Sequence, residues 1–319
     1  MRYTRRFVIA AGAAHLSSYL PHTANAQGLT SSTVGTPDLT DDLSRAQLFD
    51  LYVVPAGLQE QIETPNASPL ALPPVFYFPD DAKVDKIEKH LRQNALFGID
   101  VSHYTNENAL NFSLFKSQYI RFCYVKASQA GSKDPKFSLF WAKLKQQKIT
   151  RGAYHFLSSG MSGFDQANIF SDLIEAQGGL SGHDLPPVID LEWDVTRGNP
   201  DRWRDKSEKY IIDSVNACVE RIKIRLQREP IIYTSRSWFG NSTIKIDSFN
   251  KLPNVKYWWA DYNDHRKLSE TPAIMPGAET VLWQFTDRAL IKPVIGAGVD
   301  ASIFYGTEND FVNAFGLVV

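Results

Sequence analysis

The chain has 319 residues, 43% of them hydrophobic and 22% charged, with a formal net charge of -1. That length allows one large domain or two small ones of ordinary globular composition, and the absence of a basic excess gives no footprint for a nucleic-acid partner. The two cysteines, Cys123 and Cys218, cannot build a disulfide scaffold, and no Cys/His spacing forms a zinc site.

Arg2, Arg5 and Arg6 give the chain a positive start, an apolar stretch runs from Phe7 through Leu20, and Ala24-Asn25-Ala26 supplies small residues. This order predicts an export signal over residues 1–26, removed on secretion, and an extracytoplasmic (periplasmic or secreted) mature protein. His15, Ser17 and Ser18 interrupt the apolar stretch, which is short for a membrane span, and no later stretch approaches about 18 consecutive apolar residues. No stable membrane association is therefore expected after cleavage.

Residues 27–96 read as a linker and packed extension. Residues 27–45 are rich in Ser, Thr, Gly and Asp and read as a tether. Pro65 to Pro79 holds five prolines and excludes a regular helix. Asp85 to Leu96 carries Ile87, Leu91 and Leu96 near helical spacing.

From residue 97 to 319 the pattern is regular. Eight β-rich segments recur: Phe97–Val101, Ile120–Lys126, Gly152–Leu157, Pro187–Glu192, Pro230–Thr234, Tyr257–Ala260, Val281–Phe285 and Val299–Phe304. Amphipathic helical stretches separate the first five. In Asp205–Arg228, residues Tyr210, Ile211, Val215, Cys218, Val219, Ile222 and Leu226 share one face. Phe137–Lys148 and Phe164–Gln177 are weaker versions. Past Thr234 no long helix is expected. Alternating strands and helices imply parallel strands with right-handed crossovers, and eight strands suggest a closed α/β barrel, irregular over the last three. Cys123 on a strand and Cys218 on a distant helix are expected as buried free thiols.

Catalytic groups in such barrels stand at the C-terminal ends of strands. Those ends are acidic and aromatic. Asp100 follows strand one, Asp190 and Glu192 end strand four, and Asp300 opens strand eight. Side chains at i and i+2 of a strand share a face, so Asp190 and Glu192 project together, roughly 7 Å apart at the backbone. Two carboxylates held close can leave one protonated beside an anion, which is what glycoside hydrolysis requires. The rings near the other strand ends suit the apolar faces of sugars. An isolated Asp-x-Glu is a weak signal, more often an ion pair or a solvated face, and His155 reads as structural rather than as a base. His103 and Tyr104 on the loop after strand one, and Lys126 near the end of strand two, are candidates for substrate contact.

In order, Gly98-Ile99-Asp100-Val101-Ser102-His103-Tyr104, Phe122 to Gln129, Gly152-Ala153-Tyr154-His155-Phe156, Gln166 to Phe170, Leu185 to Glu192, Pro230 to Thr234, Trp259-Ala260-Asp261-Tyr262, Leu282 to Thr286 and Val299-Asp300 resemble the glycoside hydrolase family 25 lysozymes. The resemblance covers about residues 97–306. It implies an irregular (β/α)5(β)3 TIM-like barrel that cleaves the β-1,4 bond between N-acetylmuramic acid and N-acetylglucosamine of a peptidoglycan glycan strand. It also implies Glu192 as general acid/base, Asp190 orienting the substrate's acetamido group or stabilising the cationic centre, and Asp100 and Asp300 completing an acidic cluster. Tyr154, Tyr233, Trp259, Trp283, Tyr262 and Gln284 would line the sugar subsites. No metal and no organic cofactor is implied, and the protein is expected as a monomer. Assistance by the acetamido group is favoured because Asp190 and Glu192 share one strand rather than facing across the bond. Two positions depart from the family pattern: Ala130 replaces a common glycine, and Asp300 is followed by Ala301-Ser302-Ile303-Phe304, without the usual asparagine. The competing function is a non-catalytic peptidoglycan-binding protein that kept the groove. Retention of both Asp190 and Glu192 weighs against it.

Overall fold

Eight segments whose side chains alternate between two apolar environments frame the protein. They are β1 (Ala95–Val101), β2 (Ile120–Gln129), β3 (Thr150–Phe156), β4 (Val188–Asp190), β5 (Ile231–Thr234), β6 (Tyr257–Ala260), β7 (Thr280–Ile291) and β8 (Val294–Tyr305). The computed structural model describes residues 75–85, 90–107, 110–195, 201–241, 244–262, 272, 274–291 and 294–318. The expected export signal, the tether and the chain up to residue 74 lie outside the described residues.

Neighbouring strands pair β1-β2-β3-β4-β5-β6-β7 in parallel, and β8 closes the ring by pairing antiparallel with both β7 and β1. The expectation of eight parallel strands fails at β8 for a physical reason. A parallel partner needs a crossover of about a dozen residues, whereas β7 and β8 adjoin as a hairpin.

The crossovers are α1 (Phe137–Gln146), α2 (Gly163–Glu175), α3 (Glu208–Leu226) and α4 (Arg236–Asn241). Between β1 and β2 the described residues hold only a 3-10 turn, Phe112–Leu114, rather than the expected helix. Ser162 caps α2 by accepting the Asp165 amide, and Ser207 caps α3 by accepting the Tyr210 amide. On α3, Ile211, Val215, Cys218, Val219 and Ile222 are buried as their spacing predicts, while Tyr210 stays exposed. A further helix, α5 (Glu308–Phe315), was not expected; it starts at a Thr307–Asp310 capping box and ends at left-handed Gly316.

One parity of each strand faces the helices and the other the barrel interior. Ile99, Cys123, Val125, Ile189, Ile232 and Ile303 belong to the outer core. Phe122, Tyr124, Val188, Ile231, Tyr233, Trp258, Leu282 and Phe304 fill the inner one. Each fully buried ring of this kind contributes about 1.5–3 kcal/mol by leaving water. The two large rings of β2 fit because β1 and β3 present glycine inward. A Cβ on Gly98 would lie 2.3 Å from the Phe122 ring, and one on Gly152 would lie 2.1 Å from the Tyr124 ring. Phe311 and Phe315 of α5 pack on Phe304 and Phe122 and plug the N-terminal end of the barrel. The free end is therefore the one where β1 to β7 terminate.

The segment before β1 shares this architecture. Tyr77–Phe78 pairs in parallel with Leu290–Ile291 at the edge of β7. Phe76 lies 5.0 Å from both Phe97 and Phe285. The helical spacing of Asp85–Leu96 misleads: Val84–Asp85 and His90–Leu91 pair as short antiparallel strands. Both cysteines are free and buried, and burial pushes both thiols up. Among the described residues no helix is long and apolar enough to cross a membrane.

Candidate active site

The approach to β4 is anchored by an ion pair. Arg151 Nε of β3 donates to Asp184 Oδ1 at 2.7 Å, and its Nη1 donates to the Trp141 carbonyl oxygen at 2.6 Å, both groups being buried. The strand then runs inward-outward and ends at Asp190, two residues before the expected end. The alternation nevertheless continues. The Leu191 amide donates to the Tyr233 carbonyl oxygen at 2.9 Å, and Leu191 and Trp193 lie in the outer core. Asp190 and Glu192 are thereby left on the inner face, and both are buried.

A pocket at this end is lined by Asp100, Tyr154, Val188, Asp190, Tyr233, Trp258 and Gln284. It unites residues from β1, β3, β4, β5, β6 and β7. Asp300 sits directly opposite Asp100 in the β8–β1 register, half-buried, and directly opposed residues share a face. Asp100 and Asp190 line the pocket together, and alternation and register turn Glu192 and Asp300 to the same inner face.

Gln284 organises the polar wall. Its Oε1 accepts the Tyr233 hydroxyl at 2.8 Å and also the Tyr262 hydroxyl. Its Nε2 donates to Asp100 Oδ2 at 2.6 Å. Trp258 Nε1 donates to Ser302 Oγ at 3.1 Å. Ser302 thus gives a purpose to the unusual Ala301-Ser302 corner of β8: it holds a pocket tryptophan.

Two expected subsite residues are not there. Trp259 and Trp283 belong to the outer core. Trp259 packs on Tyr257, Phe239 and Phe249, and Trp283 Nε1 donates to the Asp261 carbonyl oxygen at 3.0 Å. Both sit next in sequence to an inward residue, and a period of two turns their rings outward. Trp258, not its neighbour Trp259, lines the pocket. Counting parity from Tyr233 and Asp190 through the sheet register would have found it.

His155 also faces outward. Its Nδ1 lies 2.8 Å from Ser128 Oγ and its Nε2 lies 3.1 Å from Gln166 Oε1. Burial pushes its pKa down to about 4, against the Gln166 bond and with help from the Lys126 charge. Lys126 is buried, with Nζ bonded to Gln129 Oε1 and 5.2 Å from the Phe156 ring centre. On the loop after β1, His103 Nδ1 lies 2.7 Å from Asp134 Oδ2, and the half-exposed Tyr104 ring rests against His103. Among the described residues, no three His, Cys, Asp or Glu side chains are grouped so as to hold a metal ion.

Residues 99–294 match the family described as Glycosyl hydrolases family 25. Lysozyme M1 of Streptomyces globisporus is 31% identical over 216 residues, 66% of this chain and 68% of that protein. The N,O-diacetylmuramidase of Chalaropsis sp is 28% identical over 226 residues, 68% of this chain and 93% of that one. The bacterial lysozyme structure from Streptomyces coelicolor aligns at a TM-score of 0.56 with 27% identity, covering 69% of this chain and 96% of that one. With the barrel, the acidic inner face and a match across most of the strands, the chain is a glycoside hydrolase and belongs to glycosyl hydrolases family 25.

Proposed function

We propose that this protein hydrolyses peptidoglycan, cleaving the β-1,4 bond between N-acetylmuramic acid and N-acetylglucosamine. The observation that carries this reading is the pairing of Asp190 and Glu192 on one inner face at the open end of the barrel, with Asp190 in the same pocket as Asp100. The names of the similar lysozyme and diacetylmuramidase support the choice of substrate.

Glu192 serves as general acid and then base. It donates its proton to the glycosidic oxygen as the bond from C1 breaks, while the substrate's own acetamido oxygen forms a bond to C1. Asp190, adjacent on the same face, accepts the acetamido N–H and offsets the positive charge that develops. Glu192, now ionised, takes a proton from the water that opens the cyclic intermediate. Asp100 and Asp300 strengthen the negative field around the cationic centre. Tyr154, Tyr233, Tyr262, Gln284 and Trp258 form the walls of the sugar subsites.

Residues 1–26 act as an export signal, 27–96 as linker and packed extension, and 97–319 as the catalytic barrel. The enzyme acts as a monomer outside the cytoplasm. The test is digestion of purified peptidoglycan by residues 27–319, with borohydride reduction and mass spectrometry of the products. Fragments ending in reduced N-acetylmuramic acid are expected. Ends of reduced N-acetylglucosamine would assign a different bond, and intact glycan that still binds the protein would replace hydrolysis by wall binding.

A further inference from the structure

Glu192 stands beyond the last strand residue of β4, where the sheet no longer fixes the backbone. On its N-terminal side the Leu191 amide is tied to β5. On its C-terminal side the chain enters an ionic clasp centred on Asp194, which is wholly buried. Asp194 Oδ1 accepts from Arg202 Nη2 at 2.5 Å. Asp194 Oδ2 accepts from the Ser159 amide at 2.7 Å and the Ser158 hydroxyl at 3.1 Å. The Arg202 Nη2 group also donates to Ser158 Oγ at 2.9 Å. The backbone is fixed as well: the Asp194 amide donates to Asp201 Oδ1 at 3.1 Å, and the Arg202 amide donates to the Asp194 carbonyl oxygen at 3.0 Å.

The Ser158–Ser159 turn that receives this carboxylate is rigid in its own right. Gln166 of α2 accepts the Ser158 amide at 2.8 Å and donates to the carbonyl oxygens of Ser158 at 2.7 Å and Met161 at 2.9 Å. The loop after β3 and the segment after β4 are therefore locked together. A buried carboxylate is costly unless its acceptor sites are filled by charged and amide donors, and here they are. The Asp194 side chain is wholly buried and its oxygens are taken by protein donors, so the clasp has no direct contact to offer a substrate.

We propose that Asp194 is a positioning residue for hydrolysis, holding the backbone of Glu192 through Arg202 and the Ser158–Ser159 turn. The inference rests on Glu192 being the acid. A reacting group displaced by about 1 Å loses on the order of 10²-fold in rate. Loosening the clasp should therefore lower turnover while leaving the sugar walls, and hence KM, intact.

The test measures kcat and KM on soluble peptidoglycan fragments for D194N, R202M, R202K and E192Q. Arg202 is about one-third exposed, so its replacement opens little packing but leaves the buried Asp194 carboxylate without its cation; R202K, which keeps that cation, together with urea unfolding of every variant, separates a kinetic effect from a folding one. D194N and R202M should lower kcat by about 30-fold with KM within about twofold of the parent, and R202K should recover most of the loss by keeping the charge. An R202M enzyme with unchanged kcat, or one that loses only KM, would overturn the proposal. An inactive E192Q beside a normal R202M refutes the clasp and leaves the acid in place. An active E192Q removes the acid and the clasp together.

Discussion

Gln284→Leu is close to isosteric and changes packing little, yet it removes three polar contacts at the centre of the pocket wall. Gln284 is fully buried and Tyr233 and Asp100 are nearly so, whereas Tyr262 is only partly buried and water can serve its hydroxyl. The cost therefore comes from the Tyr233 hydroxyl and Asp100 Oδ2. Losing a buried neutral partner costs about 1 kcal/mol and losing a donor to a carboxylate about 2 kcal/mol, so the variant should unfold with about 3 kcal/mol less stability. Tyr233→Phe alone should cost about 1 kcal/mol, and less than that when combined with Gln284→Leu, because the bond the two residues share is lost only once. Urea unfolding followed by tryptophan fluorescence measures all four corners of the cycle. Peptidoglycan clearing by the same proteins should fall by about 10²-fold in Gln284→Leu, since Asp100 loses a donor that helps to orient it. Additive effects of the two substitutions, or a Gln284→Leu protein within about 0.5 kcal/mol of the parent, would refute the hub.

The two tryptophan parities make separable predictions. Trp258→Phe should raise KM and cost about 1–3 kcal/mol through the space it opens and the Ser302 bond it loses, whereas Trp259→Ala should cost about 3–5 kcal/mol and leave KM near its parent value; denaturant unfolding beside steady-state kinetics reads both. Burial raises the Asp201 carboxyl from 3.8 to about 6, so the fold holds more protons than the unfolded chain and gains stability as pH falls through that window, by about 3 kcal/mol. Burial lowers His155 from 6.5 to about 4, so the unfolded chain holds more protons and stability falls over nearly the same range by about 3 kcal/mol. The two effects oppose each other. Asp201→Asn, which keeps an acceptor for the Asp194 and Trp203 amides, should make the protein about 3 kcal/mol more acid-sensitive between pH 6.5 and 4. Equal acid sensitivity of variant and parent in urea titrations would contradict this. Ala130 sits in the left-handed region at φ 48°, so Ala130→Gly should stabilise the chain by about 0.5–1 kcal/mol, read as a raised urea midpoint at unchanged slope.

Much of the barrel was legible in the residues because a buried strand advertises itself by apolar alternation, and Tyr257–Ala260 was bounded to the residue. The acids were legible for a related reason. Asp100, Asp190 and Glu192 interrupt apolar strands at their ends, where packing alone has no use for charge. The direction of β8 was not legible, since composition does not distinguish a parallel return from a hairpin. Which of Trp258 and Trp259 faces inward is not legible, because adjacent identical residues carry no parity of their own; only the register with β5 and β7 decides it. The clasp at Asp194 was hidden for another reason. Its members come from the turn after β3, the end of β4 and the start of the next crossover, and no local pattern joins them.

Removal of the carboxylic acid at Glu192 tests the central claim most directly. Turnover of wild type and Glu192→Gln should be compared on peptidoglycan and on an aryl glycoside whose leaving group needs no proton. The account predicts a loss of at least about 10³-fold on peptidoglycan, unchanged binding, and a much smaller loss on the aryl glycoside. Comparable turnover of the two proteins on peptidoglycan would place the acid elsewhere and contradict the account.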